Sequence, residues 1–346
     1  MSIHVRKRII CAISGGIDSA VSALLLKKKG YDVIGCFMKN WDKYDDNTVT
    51  CTLDKDLEDA EYVCRKLQIK LHVVDFVKQY WNKVFIPFLD DYQNGLTPNP
   101  DILCNKYVKF DALLTYCKQH LQTELLATGH YDINYALKYV QFPVGDILKS
   151  DVKKIALENS LERFVQKRES MGICFIGKRK FHVFIDQFIS ELKGDIRHIE
   201  TNNIIGEHKG IHRHTLGQRI PIYDRQHAPG TNHPALFTQH FHTDASHWID
   251  EIPYTFKTNG HFECDFKFQH RHKTIVVQVS SSSPNNTRLK ISLPIPIRSI
   301  SPGQYAVFYN GEECLGGARI IDNGTSLYEL KHSPPLINSD RLLNKY

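Results

Sequence analysis

The feature that most constrains this chain is a short glycine loop near its amino end. An apolar run, Arg8 to Ile13, leads into the loop Ser14 to Ser19 (S-G-G-I-D-S), and a stretch rich in Ala, Val and Leu, residues 20–26, follows. This order predicts a strand, a tight loop and a helix. Backbone N–H groups at the start of such a helix bind anions, and glycine lets a phosphate approach closely. The loop therefore predicts a phosphate-binding site.

The spacing of residues within the loop limits which reactions of a bound nucleotide are expected. The loop lacks the lysine of the G-x-x-x-x-G-K-[ST] sequence, which argues against cleavage at the γ-phosphate, and it does not fit the G-x-G-x-x-G dinucleotide pattern. It resembles the S-G-G-x-D-S loop of ATP pyrophosphatases, which split ATP between the α- and β-phosphates and adenylate a substrate. The alternative for the loop alone is a tight turn without a ligand.

Alternating strand-like and helix-like segments follow the loop. This alternation predicts a doubly wound parallel sheet with helices on both faces, in an α/β domain that spans residues 1–135. The strand-like runs are 33–37, 70–75 and 124–128, and the helical runs are 53–67, 79–89 and 106–120.

The pattern changes twice after residue 135. Residues 136–205 contain two helical stretches, 149–159 and 181–192, which predict a small central domain. Residues 206–346 consist of short β-type runs separated by Pro, Gly and Ser clusters, which predict a β-rich, barrel-like domain. A chain of 346 residues is long enough for two or three domains.

Composition excludes several classes of protein. No apolar stretch approaches the roughly 20 residues that cross a bilayer, so no membrane partner is expected. The net charge of +6 permits a polyanionic partner without requiring one. The nine cysteines are scattered singly, without a C-x-x-C pair. This scatter predicts reduced thiols and argues against a zinc ribbon and a disulfide scaffold, and no residue of the chain is assigned as a metal ligand.

Two cysteines have unusual settings. Cys104 follows a turn with two prolines, residues 97–101, and precedes a helix predicted to begin near Lys106; a helix N-terminus stabilises a thiolate. Cys174 lies in residues 167–180, where basic residues flank it on both sides. Two such thiols predict persulfide or disulfide chemistry. Six other cysteines are interpreted as small buried hydrophobes: Cys11, Cys36, Cys64, Cys117, Cys264 and Cys314.

Six motifs in order resemble those of the tRNA-specific 2-thiouridylases. They are residues 14–19, 37–41, 97–105, 127–131, 172–177 and 215–219. The similarity continues through residues 302–309 and 313–317, so it covers nearly the whole chain. Residues 166–180 and 233–236 look more like the mitochondrial branch than the bacterial one. The resemblance implies an N-terminal domain of the adenine nucleotide α-hydrolase type and a mitochondrial location, with the cytoplasm of a bacterium as the alternative.

The activity that the resemblance implies is that of a sulfurtransferase that thiolates position 2 of the wobble uridine, position 34, in Lys, Glu and Gln tRNAs. ATP with Mg²⁺ would activate the base oxygen as an adenylate, and Asp101 would serve as an acid or base. A donor protein would place a persulfide on Cys174. Cys104 would attack that persulfide, or release its sulfur as hydrosulfide, and end in a transient disulfide with Cys174 that a reductant must open.

The resemblance also assigns binding residues, and it implies that the β-rich domain of residues 206–346 binds tRNA. The residues that would hold ATP are Ala12, Ile13, Ser14, Gly15, Gly16, Ile17, Asp18, Ser19, Met38 and Gly129. Those that would meet the tRNA or its extruded base are Asn99, Pro100, Asp101, His130, Gln269, His270 and Gln304. The basic residues of the same late stretch could pair with tRNA phosphates or form a solvated strand; they are Lys267, His270, Arg271, His272 and Lys273.

Two gaps depart from the family pattern. Between Tyr131 and Pro143 the family carries a longer insert that contacts tRNA, and after Arg219 a glycine-rich continuation is missing. Both gaps would weaken tRNA binding, and they suggest a divergent or internally truncated version. One alternative function is therefore a catalytically impaired remnant that still binds tRNA. Another is a different adenylating ligase with the same ATP loop, which would need no paired thiols.

Overall fold

The computed structural model describes residues 6–42, 53–130, 139–167, 181–218, 232–269, 273–283 and 288–334. Contacts divide the chain into two compact units. The first unit consists of Met1–Pro87 and Pro100–Phe184, and the second of Phe88–Asn99 and Ile185–Tyr346. The division at residues 135 and 205 stays a prediction. Across the described ranges, no helix is both long and apolar enough to span a membrane.

The first unit is built on a five-stranded parallel sheet, as predicted. Its order is β3-β2-β1-β4-β5. The strands β2 and β3 therefore lie on one side of β1, and β4 and β5 lie on the other side. The direction of winding changes between β1 and β4, and ligands of such sheets bind at this point, beyond the carboxyl ends of the strands. The strands are β1 (Arg8–Ala12), β2 (Asp32–Lys39), β3 (Lys70–Asp75), β4 (Leu126–Ala127) and β5 (Val140–Gln141).

Two helices follow the first two strands. Helix α1 (Ile17–Lys28) begins within the predicted loop, so residues 17–19 form its first turn, and most of its residues are buried, including the largely apolar stretch 20–24. Helix α2 (Leu53–Leu67) is amphipathic and buries one face, including Ala60 and Val63, in the same core. Burial of α1 fixes the position of the loop that precedes it.

The next two helical runs each contain a π-helical segment, a rare feature that is frequent at functional sites. The first run is α3 (Val77–Tyr80), the π segment Trp81–Phe85 and α4 (Ile86–Gln93). The second is α5 (Pro100–Cys104), the π segment Asn105–Ala112 and α6 (Leu113–His120). The predicted helix start near Lys106 is wrong, because Pro100 already opens the helix; proline suits a first helical position, where its missing N–H costs nothing. Cys104 therefore lies within the helix.

Three short helices complete the first unit. Helix α7 (Lys149–Glu158) and α8 (Glu162–Val165) bury Val152, Ala156 and Phe164 in the core that also contains the strands β1 and β2. Helix α9 (Phe181–Ile185) places the ring of Phe184 beside those of Trp41 and Phe85, with centroid distances of 6.2 and 6.0 Å. The described residues on either side of 168–180, Lys167 and Phe181, therefore belong to this unit.

The second unit contains a closed antiparallel barrel, in agreement with the predicted β-barrel-like domain. Strands pair in the order β13-β10-β11-β12-β8-β14, and β14 also pairs with β13, which closes the barrel; β9 adds to the outside of β14. Its interior is packed with apolar side chains such as Phe241, Phe266 and Phe308. The barrel elements are β8 (Phe237–Thr243), β9 (His247–Trp248), α10 (Tyr254–Asn259), β10 (His261–Lys267), β11 (Ile275–Ser281), β12 (Leu289–Arg298), β13 (Tyr305–Asn310) and β14 (Glu313–Asp322).

A separate hairpin precedes the barrel in the chain. Its strands are β6 (Gly194–Arg197) and β7 (Ile204–His208), which pair antiparallel. Beside it, Arg213 donates two hydrogen bonds to the Asp186 carboxylate, at 3.0 and 2.5 Å. This pair attaches the 3₁₀ turn Ile211–Arg213 to the segment that follows α9.

Candidate active site

The two glycines of the loop have different structural roles. Gly15 has a φ of +74°, and a Cβ there would lie 2.5 Å from the backbone oxygen of Asp56, so only glycine fits. Gly16 is the N-cap of α1 with extended backbone, and a Cβ there would meet only the Ser14 hydroxyl, at 3.4 Å. Gly15 thus allows the loop to pack against α2. The space beside Gly16 is open, so a phosphate could approach the backbone closely there.

The loop is held in shape by its own serines. Ser19, which is buried, donates its hydroxyl proton to the Gly16 carbonyl at 2.9 Å and accepts a hydrogen bond from the Ser14 N–H at 3.2 Å. The exposed Ser14 hydroxyl lies 3.3 Å from that of Ser19. Ala12, Ile13 and Ile17, also predicted for ATP, are buried in the core beneath the loop. These contacts leave the Ser14 hydroxyl on the open side.

The ends of β2 and β4 lie at the same edge as the loop. Met38 is next to last in β2 and half-buried. Gly129 follows β4 so closely against α1 that a Cβ would lie 2.7 Å from the Ser19 nitrogen and 2.8 Å from the Asp18 carbonyl carbon. The predicted residues Gly129 and Asp18 are therefore brought together, and the glycine is explained by contact with the helix start.

A lysine that the sequence did not single out binds the loop aspartate. Lys149, at the start of α7, donates to both carboxylate oxygens of Asp18, at 2.8 and 2.7 Å. The two side chains are 28% and 26% exposed, so solvent screens the pair only in part. No local signal distinguishes Lys149 from Lys153 or Lys154, because its partner lies 131 residues earlier in the chain.

A second lysine joins the loop to α2. Lys167 donates to the Gly15 carbonyl at 2.9 Å, to Asp56 at 2.7 Å and to Asp59 at 2.8 Å. Asp59 is almost fully buried and also forms an ion pair with Arg163, with N and O atoms 2.6 Å apart. From sequence, Lys167 belongs to the basic flank of Cys174; in the structure two carboxylates balance its charge. Cys174 itself lies outside the described residues.

A third group surrounds His130, just beyond β4. The Lys109 ammonium lies 3.3 Å from His130 Nε2, and His130 Nδ1 lies 2.7 Å from the Thr128 hydroxyl. The rings of Phe110 and Phe142 pack near the imidazole, with centroids 5.9 and 6.2 Å away. An ammonium can only donate, so Nε2 accepts and the remaining proton lies on Nδ1, which donates to Thr128.

Burial and Lys109 set the ionisation of this group. Burial, and next the charge of Lys109, lower the pKa of His130 to about 4, so the ring is neutral at pH 7. Burial raises the pKa of the Asp101 carboxyl above its usual range, and Lys109 acts in the opposite direction. Asp101 and His130, which were both predicted, thus share one cationic neighbour that was not. A raised carboxyl pKa suits a group that transfers protons near neutral pH.

Cys104 lies at the end of α5, the helix that also carries Asp101, and it is 4% exposed. It is a free thiol, as is every cysteine that the structure describes. Cys36, Cys64 and Cys117 are buried as predicted, and burial raises their pKa values to about 12, 11 and 12. Cys314 is only half-buried. The buried thiols with raised pKa values are poor nucleophiles.

The predicted tRNA residues of the second unit fall into two places. Gln304 donates its side-chain N–H to the Thr97 carbonyl at 2.6 Å, and the Thr97 N–H donates to Pro302 at 2.8 Å, so Gln304 anchors the segment that ends at Asn99. Gln269 is exposed just beyond β10. Nearby, Lys267 is half-buried and Lys273 exposed, whereas His270, Arg271 and His272 lie outside the described residues.

Family models match most of the chain. The model described as tRNA methyl transferase HUP domain matches residues 7–136 and 133–178. The tRNA methyl transferase PRC-barrel domain matches residues 182–229, and the aminomethyltransferase beta-barrel domain matches residues 238–320. These boundaries coincide with the parallel sheet, the hairpin segment and the closed barrel described above.

Curated relatives are similar over nearly the whole chain. The chain is 38% identical to mitochondrial tRNA-specific 2-thiouridylase 1 of Homo sapiens, over 94% of this chain and 93% of the relative. It is 39% identical to tRNA-specific 2-thiouridylase MnmA of Shigella boydii, over 91% of this chain and 96% of the relative. The human alignment spans 393 residues, more than the 346 of this chain, so the relative carries segments that this chain lacks. This difference agrees with the predicted gaps.

Solved structures give only distant likenesses. NMN synthetase of Francisella tularensis has a TM-score of 0.33 at 20% identity, over 48% of this chain and 67% of that one. A 4-thiouridine synthetase in complex with RNA and ATP also has a TM-score of 0.33, at 16% identity, over 52% of this chain and 50% of that one. Similarity at this level says nothing about function.

Proposed function

Because the chain belongs to the tRNA-specific 2-thiouridylase family, we propose that it uses ATP to replace the oxygen at position 2 of the wobble uridine, position 34, with sulfur in Lys, Glu and Gln tRNAs. The observation that carries the proposal is the edge of the parallel sheet. There the glycine loop follows β1, His130 lies just beyond β4, Asp101 lies on α5, and Lys109 lies in the π segment that continues α5. A nucleotide and a base held at one sheet edge could react with each other.

The glycine loop is proposed to bind the ATP phosphates. The N-terminus of α1, the open space at Gly16 and the outward Ser14 hydroxyl supply donors and room for an anion. Lys149 is held at the same loop by its bonds to Asp18, and its positive charge would stabilise the pyrophosphate leaving group. Mg²⁺ is proposed to bind beside them, with the Asp18 carboxylate, which also accepts from Lys149, as a ligand; when bound, it would neutralise phosphate charge.

The target base is proposed to enter near Asp101, with Asn99 and Pro100 as the flanking turn and His130 as a further contact. Attack of the uridine O2 on the α-phosphorus forms an O–P bond and expels pyrophosphate, which leaves an adenylated base. This step needs the base oxygen to gain electron density, and Asp101, whose carboxyl pKa is raised, could accept the N3 proton. The neutral His130 ring offers a stacking surface without adding positive charge.

Sulfur transfer is proposed to use Cys104 and Cys174. The terminal sulfur of a persulfide on Cys174, or hydrosulfide released from it, attacks C2 and AMP leaves with the original oxygen. The Cys104 thiolate attacks the Cys174 sulfur, so the two cysteines are oxidised to a disulfide while the transferred sulfur is reduced. An external dithiol then restores both thiols. The persulfide must come from a donor protein, and the relatives named as mitochondrial make the mitochondrion the proposed location.

Thiolation of unmodified tRNA tests the proposal directly. The full chain is incubated with ATP, Mg²⁺, a persulfide donor and tRNA transcripts, and thiolated tRNA is detected by its retardation in a mercury-containing gel. Variants C104A and C174A are run in parallel, with C314A as the control because Cys314 is half-buried and lies outside the six motifs. Loss of product in the first two and retention in the third are expected.

Three results would change the conclusion. Binding of tRNA without thiolation would indicate the remnant that the missing segments suggest. Retained ATP-dependent modification in the C104A C174A double variant would indicate another adenylating ligase. Thiolation of a tRNA outside the Lys, Glu and Gln set would leave the reaction intact and refute the proposed substrate range.

A further inference from the structure

Lys167 takes no part in the chemistry above, yet its ammonium binds the glycine loop itself. Its Nζ lies 2.9 Å from the Gly15 carbonyl oxygen, 2.7 Å from Asp56 and 2.8 Å from Asp59. Three acceptors match the three protons of an ammonium group. The side chain is 27% exposed, so its position is fixed by these three bonds in a partly desolvated place.

The bond to Gly15 sets the direction of the neighbouring donor. In a trans peptide the carbonyl of one residue and the N–H of the next point in opposite directions, because the peptide unit is planar. The carbonyl of Gly15 points to Lys167, so the N–H of Gly16 points away from Lys167. Gly16 is the N-cap of α1 and borders the open space of the loop.

The carboxylates keep Lys167 in place. Asp59 is 2% exposed, and a buried carboxylate needs a cationic partner. Asp56 lies in the first turn of α2, and its backbone oxygen is the atom against which Gly15 packs. Gly15 has a positive φ and no side chain, so its backbone dihedral angles are only weakly restricted. The bond from Lys167 restrains the orientation of the peptide unit between Gly15 and Gly16.

We propose that Lys167 is a positioning residue that orients the Gly16 amide for phosphate binding, and that it thereby sets the affinity for ATP. The inference rests on the proposed ATP site. It concerns a residue that bonds to the Gly15 carbonyl and two carboxylates, and its effect on ATP is exerted through the peptide unit between Gly15 and Gly16.

Nucleotide binding to the full chain, measured by isothermal titration calorimetry with an α,β-methylene ATP analogue and Mg²⁺, tests the inference. K167M is expected to weaken binding roughly tenfold, the scale of one hydrogen bond from a charged group. K167R keeps a cation for the two carboxylates and is expected to recover part of the affinity. The matched control is R163M, because Arg163 pairs with the same Asp59 but has no bond to the loop; its affinity should stay within twofold of the unmodified chain.

A further variant separates orientation from stability. K167M leaves a buried carboxylate with one cation fewer, so K167M D59N is made to remove that charge, and Tm is measured without nucleotide. The proposal expects Tm to recover and ATP affinity to stay low. Recovery of both, or equal weakening by R163M, would make Lys167 merely structural and overturn the inference. If the unmodified chain does not bind the ATP analogue, both the proposed ATP site and this inference are overturned. If K167M binds the analogue as tightly as the unmodified chain does, only the inference is overturned.

Discussion

The ammonium of Lys109 lies 3.3 Å from Nε2 of His130, so a cation rests against a histidine that is itself neutral. We predict that K109M raises the pKa of His130 from about 4 toward its ordinary value, because the positive charge that opposes protonation is removed. The measurement is an NMR titration of the His130 ring. K118M, on the exposed side of the same helical run, is the control. An unchanged His130 pKa in K109M would contradict the assigned contact.

Acid should destabilise the protein through the same histidine. The folded pKa of His130, about 4, is below the unfolded value near 6.5, so the unfolded state binds the extra proton first as pH falls. Stability is therefore complete above pH 6.5 and is lost between pH 6.5 and 4, by on the order of 3 kcal/mol. Urea unfolding across this range should show a smaller loss in H130N, while H120N, at an exposed position, should behave like the unmodified chain.

The two loop glycines should fail in different ways. G15A is predicted to lower stability by about 2 kcal/mol or more, since it combines a positive φ with a contact at 2.5 Å to the α2 backbone. G16A is predicted to keep its Tm within a few degrees and to lose ATP affinity, because the new methyl group occupies the open space. Tm and calorimetric ATP titration of both variants check this contrast. Loss of affinity in G15A alone would refute it.

Removal of Lys149 should slow catalysis more than it weakens the fold. K149M is predicted to lower the thiolation rate roughly a hundredfold, the usual effect of losing one donor at a developing charge. K154M is the control, because Lys154 lies on the same helix and pairs with Asp151 at an exposed position. Single-turnover thiolation rates check the prediction. If Lys149 only neutralises Asp18, then D18N K149M will react as fast as D18N.

The rate of thiolation should depend on the ionisation of Asp101. If its carboxylate accepts a proton, the rate falls as pH drops through a value above the ordinary Asp range, because burial raises its pKa. D101N should lack this acid limb and react slowly at every pH, with tRNA binding retained. A rate that instead rises as pH falls would assign Asp101 as an acid. The pH profile of single-turnover thiolation distinguishes the two roles.

Much of the fold could be predicted from the sequence because its signals are local. The apolar run before Ser14, the alternation up to β4 and the short β runs of the barrel each depend on neighbouring residues. The start of the Cys104 helix could not be predicted so well. Pro98 and Pro100 both suggest a turn, yet only the surrounding structure decides which proline opens the helix.

The site was predictable where a motif carries it and not where folding creates it. Gly15, Asp18 and Asp101 belong to recognisable motifs. Lys149 and Lys167 reach the loop from 131 and 152 residues further along the chain, and nothing in their own surroundings marks them. The same holds for Lys109, whose role depends on its distance to His130. Ion pairs of this kind follow from topology, which single-residue patterns do not contain.

The number of residues in the π segment Asn105–Ala112 matters separately from their identity. Cys104 precedes the segment and Lys109 lies inside it, so its wider winding decides how the thiol and the ammonium are turned relative to each other. Deleting one residue would let the chain return to α-helical winding, which turns by about 100° per residue, and would change the angle between Cys104 and Lys109 around the helix axis. Such a deletion could leave Cys104 and Lys109 in the sequence and still separate their side chains. The number of residues between them is therefore a requirement of this helix distinct from residue identity.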